Sequence, residues 1–343
     1  MKKAIAISVI LILTALAAGC GGAGAGAGAG SGTVGAADPD KVYTLKLAHQ
    51  AQENHPWQPT CLEIKRIVEE KTNGKVLIEI YIGGSLGYDR DLIEGMQAGT
   101  VELAFITTAP LSGFSPALGV LDLPYVFRDW DHLQKFMDSE PARQLDDKMQ
   151  EIGLRNLSFY PGGFRQITNS VHPIVTLADL RGLKIRVMQS DVFIDTFSAL
   201  GASPVPMAWA EVPTSLQQGT ISGQENPNLV NYSNNIWEYQ KYYSLTSHCA
   251  YMSALVGSDK LLGELPEEYL NILMEAAKEV CTTDVQGVRE DEKVLLDEIV
   301  SHGMAVNELD TADFAAATAP VREAFAAQNG GEIMEAIMAL ADY

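Results

Sequence analysis

Residues 42–107 alternate short apolar strands with helices in the order βαβαβ, which restricts this part of the chain to an open, largely parallel sheet. Val42 to Ala48 alternates, with Leu45 and Leu47 on one face. A loop from Gln50 to Trp57 leads into a helix whose inner stripe is Cys61, Ile64, Ile67 and Val68, ended near Gly74. Val76 to Ile82 reads as a second strand, Asp89 to Ala98 as a helix with Leu92, Ile93 and Met96 inward, and Val101 to Thr107 as a third strand. Ligands of such sheets bind beyond the carboxyl ends of the strands, where the loops at Gln50 and Thr107 lie.

The remaining pattern calls for a second unit and a connection between the two. One helix is expected from about Asp129 to Ile152, then a strand over Leu154 to Tyr160. Pro161-Gly162-Gly163 reads as a hinge into a second domain. That domain includes the strand Gly182-Leu183-Lys184-Ile185-Arg186-Val187, a helix over Phe193 to Leu200, and the polar cluster Gly223-Gln224-Glu225-Asn226-Pro227. After a strand at Tyr251 to Gly257, Pro266 opens a helical pattern that runs to His302 and stops at Gly303. Such a helix is about 55 Å long at 1.5 Å per residue. It exceeds the width of one small domain, so it bridges both. Helices near Thr311 to Gln328 and Glu332 to Leu340 end the chain.

A chain of 343 residues with 47% apolar content fits two domains with filled cores. Its formal net charge of -20 argues against a nucleic-acid partner, since phosphate binding relies on Lys and Arg. An anionic ligand has to be held by a local basic feature. Lys2, Lys3 and the apolar run Ala4 to Ala18 read as an export signal, too short to span a membrane. Leu16-Ala17-Ala18-Gly19-Cys20 resembles a bacterial lipobox, with Leu one position earlier than usual, which makes Cys20 the expected lipidation site. Gly/Ala-rich residues 21–40 form the expected tether, with a reach of roughly 20–25 Å. Cys61, Cys249 and Cys281 lack metal-ligand spacing, and at most one disulfide is open to them.

Arg186 is the sharpest chemical signal. A guanidinium on an apolar strand is costly to desolvate unless an anion meets it, and its fork fits a carboxylate. A ligand carboxylate and an internal Asp or Glu are the two candidate partners. Gly83-Gly84-Ser85-Leu86-Gly87 matches the serine-hydrolase pattern G-x-S-x-G, but also an ordinary glycine turn. No HExxH helix or phosphate-binding loop is present, and neither a metal nor a cofactor is expected. Gln50, Asp89, Thr107, Arg165, Arg186, Trp209 and Asn226 together offer what an organic acid needs: a carboxylate clamp, an apolar face and polar discriminators. Singly, Asp89 and Arg165 could be solvated charges and Trp209 core packing.

The chain resembles the solute-binding proteins of tripartite ATP-independent periplasmic (TRAP) transporters, the DctP family. Thr72-Asn73-Gly74-Lys75, Ser85-Leu86-Gly87, Gly182 to Arg186, Gly201-Ala202-Ser203-Pro204 and Gly223 to Pro227 carry the resemblance, which covers Val42 to about Leu309. It implies a two-lobed, periplasmic-binding-protein-like α/β fold with a long helix shared by both domains. It also implies closure around one small organic acid and delivery to a membrane permease. Residues 41–162 plus 252–291 are expected as domain I, and 163–251 plus 292–343 as domain II. Arg186 matches the arginine that pairs with the ligand carboxylate, Asn226 the asparagine that supports it, and Arg165 a second, more variable arginine. Trp209 stands where Phe is usual and packs on the ligand. Gln50, Asp89 and Thr107 match positions at the ligand's far end in sialic-acid-binding members, with Thr107 replacing a carboxylate. Pro213 and Ser222 depart from the family's Tyr and Asp.

The expected function is therefore capture of a small carboxylate by a periplasmic protein anchored at Cys20, with an aromatic or amino/keto monocarboxylate favoured and a C4-dicarboxylate as the alternative. A ligand-sensing subunit for a receptor kinase would use the same cleft. A secreted serine hydrolase is the enzyme alternative, and the expectation is that the chain is not an enzyme.

Overall fold

Burial of Leu45 and Leu47 on one face of Tyr43–His49 makes that segment strand β1 of the computed structural model, which describes residues 41–341. The signal, the tether and Cys20 lie outside the described residues. Helix α1 (Trp57–Lys71) buries Trp57, Cys61, Ile64 and Val68, spaced three or four apart. Then come β2 (Val76–Tyr81), α2 (Asp89–Ala98) and β3 (Leu103–Thr107), and β1 pairs in parallel with both β2 and β3.

The single helix expected over 129–152 is instead α3 (Trp130–Met137) and α4 (Glu140–Glu151). Pro141 has no N–H to continue α3, and Ser139 caps α4 by accepting from the Ala142 N–H. Strand β4 (Leu154–Phe164) runs through Pro161, Gly162 and Gly163, which are buried inside it. Gly162 is required by a close approach: a Cβ there would lie 2.6 Å from Tyr251 Cδ1.

The next elements are β5 (Gln166–Asn169), β6 (Lys184–Val187), α5 (Asp191–Ala199), β7 (Ser203–Pro206), α6 (Val212–Gln218), β8 (Gly223–Asn226), α7 (Asn228–Ser233) and β9 (Tyr242–Ser244). After them come β10 (Ala250–Ser258), α8 (Asp259–Leu262), α9 (Glu267–Ser301), β11 (Ala305–Asn307), α10 (Ala312–Ala317), α11 (Ala319–Asn329) and α12 (Glu332–Ala339).

Two sheets result, ordered β2-β1-β3-β10-β4 and β11-β9-β5-β8-β6-β7. The first is mixed, because β10 runs antiparallel to both β3 and β4. The chain leaves the first sheet along β4 and returns to it along β10, so the two crossing strands must oppose each other. Helix α9 is the third connection. At 35 residues it is about 52 Å long. Leu273, Ala277, Cys281 and Val288 pack in the core of the first sheet, and Ile299 packs with Tyr243 and Val212 under the second.

The tail divides between the two cores. Phe314 of α10 does pack with Phe193 and Phe197 of the second sheet's core. Pro320 then breaks the helix expected over 311–328, and Val321, Phe325 and Ile337 return to the first sheet's core with Leu133 and Leu145. Cys61, Cys249 and Cys281 are buried and free. Among the described residues no helix is long and apolar enough to cross a membrane.

Candidate functional site

The carboxyl ends of β1 and β3, the amino end of α2, and strands β6 and β8 converge on a cleft of about 220 Å³. Gln50, Asp89 and Thr107 line one side, and Arg186, Trp209 and Asn226 the other. This is where an open α/β sheet offers free main-chain ends and side chains to a ligand.

Arg186 is 4% exposed, set between buried Ile185 and Val187 on β6. Its Nε and Nη2 donate to the Met207 carbonyl at 3.1 and 2.8 Å, and its guanidinium sits 5.5 Å from the Trp209 ring centre. Among the described residues no carboxylate forms an ion pair with it. Burial pulls its pKa down to about 10; the Glu225 charge opposes that shift and the Arg165 charge adds to it. A desolvated cation facing a cleft with one carbonyl for company is a strong anion receptor.

Arg165 is placed differently. It is 1% exposed and does not line the cleft. Its Nε donates to Glu225 Oε2, and its Nη2 donates to Glu225 Oε1 at 2.8 Å, to the Glu225 carbonyl at 2.7 Å and to Asn226 Oδ1 at 3.0 Å. His248 Nε2 meets the same carboxylate at 3.1 Å, and the Thr246 hydroxyl meets His248 Nδ1 at 2.9 Å. Burial would raise the Glu225 carboxyl, but the Arg165 charge and the bonds it accepts hold it below its ordinary value. Burial lowers His248, a shift that Glu225 partly offsets. In the neutral tautomer with Nε2–H, the imidazole donates to Glu225 and accepts from Thr246. Arg165 thus acts on the cleft through Asn226, whose Nδ2 donates in turn to Gln224 Oε1 at 2.5 Å.

Asp89 is buried at the first position of α2, not solvated. It accepts from the Thr107 N–H at 3.2 Å, from the Thr107 hydroxyl, and from Gln50 Nε2 at 2.9 Å. Burial outweighs these bonds and raises its pKa to about 6. The three expected residues of this side therefore form one polar unit.

Glu225, His248, Met207 and Tyr251 belong to the site and its support, and the sequence reading did not single them out. Glu225 carried no local signal: it stands between Gln224 and Asn226 in a polar segment, and only the fold buries it against a cation. Glu225, His248 and Cys249 place potential metal-ligand atoms within 4.8 Å of one another. A metal would have to displace Arg165 from Glu225, and burial pushes the Cys249 thiol well up, away from the thiolate that metals bind. Ser85 lies in an exposed glycine turn, and among the described residues no histidine bonds to it. That is a turn's geometry without the base a serine nucleophile requires.

The fold and cleft define a class, the two-sheet α/β binding proteins. The chain belongs to the DctP family, "Bacterial extracellular solute-binding protein, family 7", which it matches over residues 47–329. Solute-binding protein RD1_1052 of Roseobacter denitrificans is 36% identical over 279 residues, covering 80% of this chain and 84% of its own. Its solved structure, with bound L-galactonate, aligns with a TM-score of 0.81 at 34% identity, covering 88% of this chain and 99% of that one. The 2,3-diketo-L-gulonate-binding periplasmic protein YiaO of Escherichia coli is 31% identical over 299 residues, covering 86% of this chain and 91% of its own. A TRAP periplasmic solute-binding protein of Polaromonas sp. JS666, bound to D-erythronate, aligns with a TM-score of 0.85 at 33% identity, covering 88% of this chain and all of that one. The chain is a TRAP-type solute-binding protein, and its family consists of receptors, not enzymes.

Proposed function

We propose that this protein captures a small polyhydroxylated monocarboxylate, a sugar acid of the aldonate kind, and presents it to a TRAP permease. Arg186 carries the proposal: buried, turned to the cleft and bonded only to a carbonyl, it takes the acid's carboxylate, and Asn226 steadies that group. Asp89, Gln50 and Thr107 read the hydroxyls at the far end. The two sheets close over the acid and exclude water, which strengthens the ion pair. The sequence around Cys20 supports a lipid anchor in the periplasm.

Three features favour a sugar acid over the other acids expected from the sequence. One face of Trp209 already lies against the Arg186 guanidinium, which leaves less aromatic surface for an aromatic ligand. A second carboxylate, as in a C4-dicarboxylate, would meet Asp89, a like charge. Similar proteins hold D-erythronate and L-galactonate, and YiaO is named for a keto sugar acid, so a keto group on a hydroxylated chain stays within the proposal.

The test is thermal melting against C4 to C6 aldonates, C4-dicarboxylates and aromatic acids. A ligand at 100 times its dissociation constant adds about 2.7 kcal/mol of stability. A shift with dicarboxylates or aromatic acids and none with aldonates would contradict the assignment.

A further inference from the structure

We infer that Tyr251 is a specificity-determining residue of this cleft: its phenol hydroxyl donates to an oxygen in the middle of the acid's carbon chain, between the carboxylate at Arg186 and the far end at Asp89. The inference rests on the cleft binding a hydroxylated acid, as proposed above.

Tyr251 lies on β10, one of the strands that cross between the sheets. Two residues beyond it, Ser253 pairs with Thr107, and the Met252 carbonyl accepts the Thr108 N–H at 3.1 Å. Two residues before it, the Cys249 carbonyl accepts the Arg165 N–H at 2.9 Å. The main chain therefore fixes Tyr251 between the polar unit of Asp89 and Thr107 and the Arg165–Asn226 support of the carboxylate end.

Its ring is held on two sides. One edge lies against Gly162, and the Arg165 guanidinium sits 5.5 Å from the ring centre. The residue is 4% exposed and lines the cleft. Among the described residues its hydroxyl makes no hydrogen bond, whereas the hydroxyls of Tyr160 and Tyr243, also buried, bond to Asp284 and Asn228. A buried phenol normally finds a partner. The Tyr251 hydroxyl is not sealed from solvent: it opens on the cleft, where water or a ligand oxygen can meet it. Burial raises the phenol's pKa, and the neighbouring Asp89 charge raises it further, so it remains a neutral donor. Placement on a crossing strand also lets Tyr251 meet the acid at the junction of the two sheets.

Calorimetric titration of wild type and Tyr251→Phe with D-erythronate and with its 2-deoxy and 3-deoxy analogues tests this directly. The substitution should weaken D-erythronate about tenfold, the upper end for one neutral hydrogen bond. For the deoxy acid that lacks the hydroxyl Tyr251 reads, wild type and variant should bind equally. The unliganded melting temperature should not change, because the hydroxyl has no protein partner. Equal weakening of all three acids, no weakening at all, or a marked drop in unliganded melting would each overturn the role of Tyr251 while leaving the cleft's assignment intact. Failure of wild type to bind any of the three, or any C5 or C6 aldonate, would overturn the assignment and this inference together.

Discussion

Arg165 and Glu225 close on each other as a forked ion pair with side chains only 2% and 0% exposed. Arg165 is matched by a carboxylate inside the protein, and among the described residues Arg186 is not. Breaking one half of a buried pair leaves an uncompensated charge, at a cost of about 3–5 kcal/mol. Glu225→Gln should therefore lower unliganded stability by that amount in urea unfolding. A loss below about 1 kcal/mol would mean that the carboxylate is not structural.

Asp122 supplies a pH signature. It is 4% exposed, and its Oδ2 has no hydrogen-bond partner among the described residues; Oδ1 meets the Thr108 hydroxyl at 3.3 Å. Burial raises its pKa from 3.8 to about 7, against the Arg165 charge and the Thr108 bond, with the Glu225 charge adding to the rise. The native state then binds more protons than the unfolded state between about pH 4 and 7, so this group's effect is to lower stability as pH rises through that window. Asp122→Asn removes the effect. The variant should match wild type near pH 4 and exceed it at pH 8 by a few kcal/mol at most. Parallel stability curves across that range would refute the assignment.

Gly162 sets the position of Tyr251. The added methyl in Gly162→Ala would lie 2.6 Å from Tyr251 Cδ1 and 3.1 Å from Leu229 Cδ2. Overpacking of this kind costs about 1–3 kcal/mol. The variant should melt lower and bind acid more weakly, since the ring it displaces lines the cleft. Unchanged melting and affinity would show that β4 and β10 part without strain.

Local signals made much of the fold legible, and long-range pairing hid the rest. Pro266 and Gly303 bracket α9 in the sequence, and Gly74 and Gly99 stand just past α1 and α2. The strand-end rule puts Gln50 and Thr107 at one mouth of the sheet, and both line the cleft. The break between α3 and α4 was visible as Ser139 and Pro141, but an apolar periodicity continuing across it masked the stop. The antiparallel course of β10 could not be read locally, because it follows from the chain's return across the sheets. The burial of Arg165 was hidden for a related reason: Glu225, its partner, lies 60 residues away and meets it through the pairing of β5 with β8. Tyr251 reads in the sequence as one more apolar strand residue, because nothing local marks its hydroxyl as unpaired among the described residues.

The central claim is that the Arg186 guanidinium holds the negative end of the ligand. Calorimetric titration of wild type and Arg186→Ala with D-erythronate and with its uncharged amide isolates that contact. Wild type should prefer the acid, and the variant should lose about 2–5 kcal/mol for the acid and show little preference between acid and amide. Retention of the wild-type preference for the acid by Arg186→Ala would contradict the account.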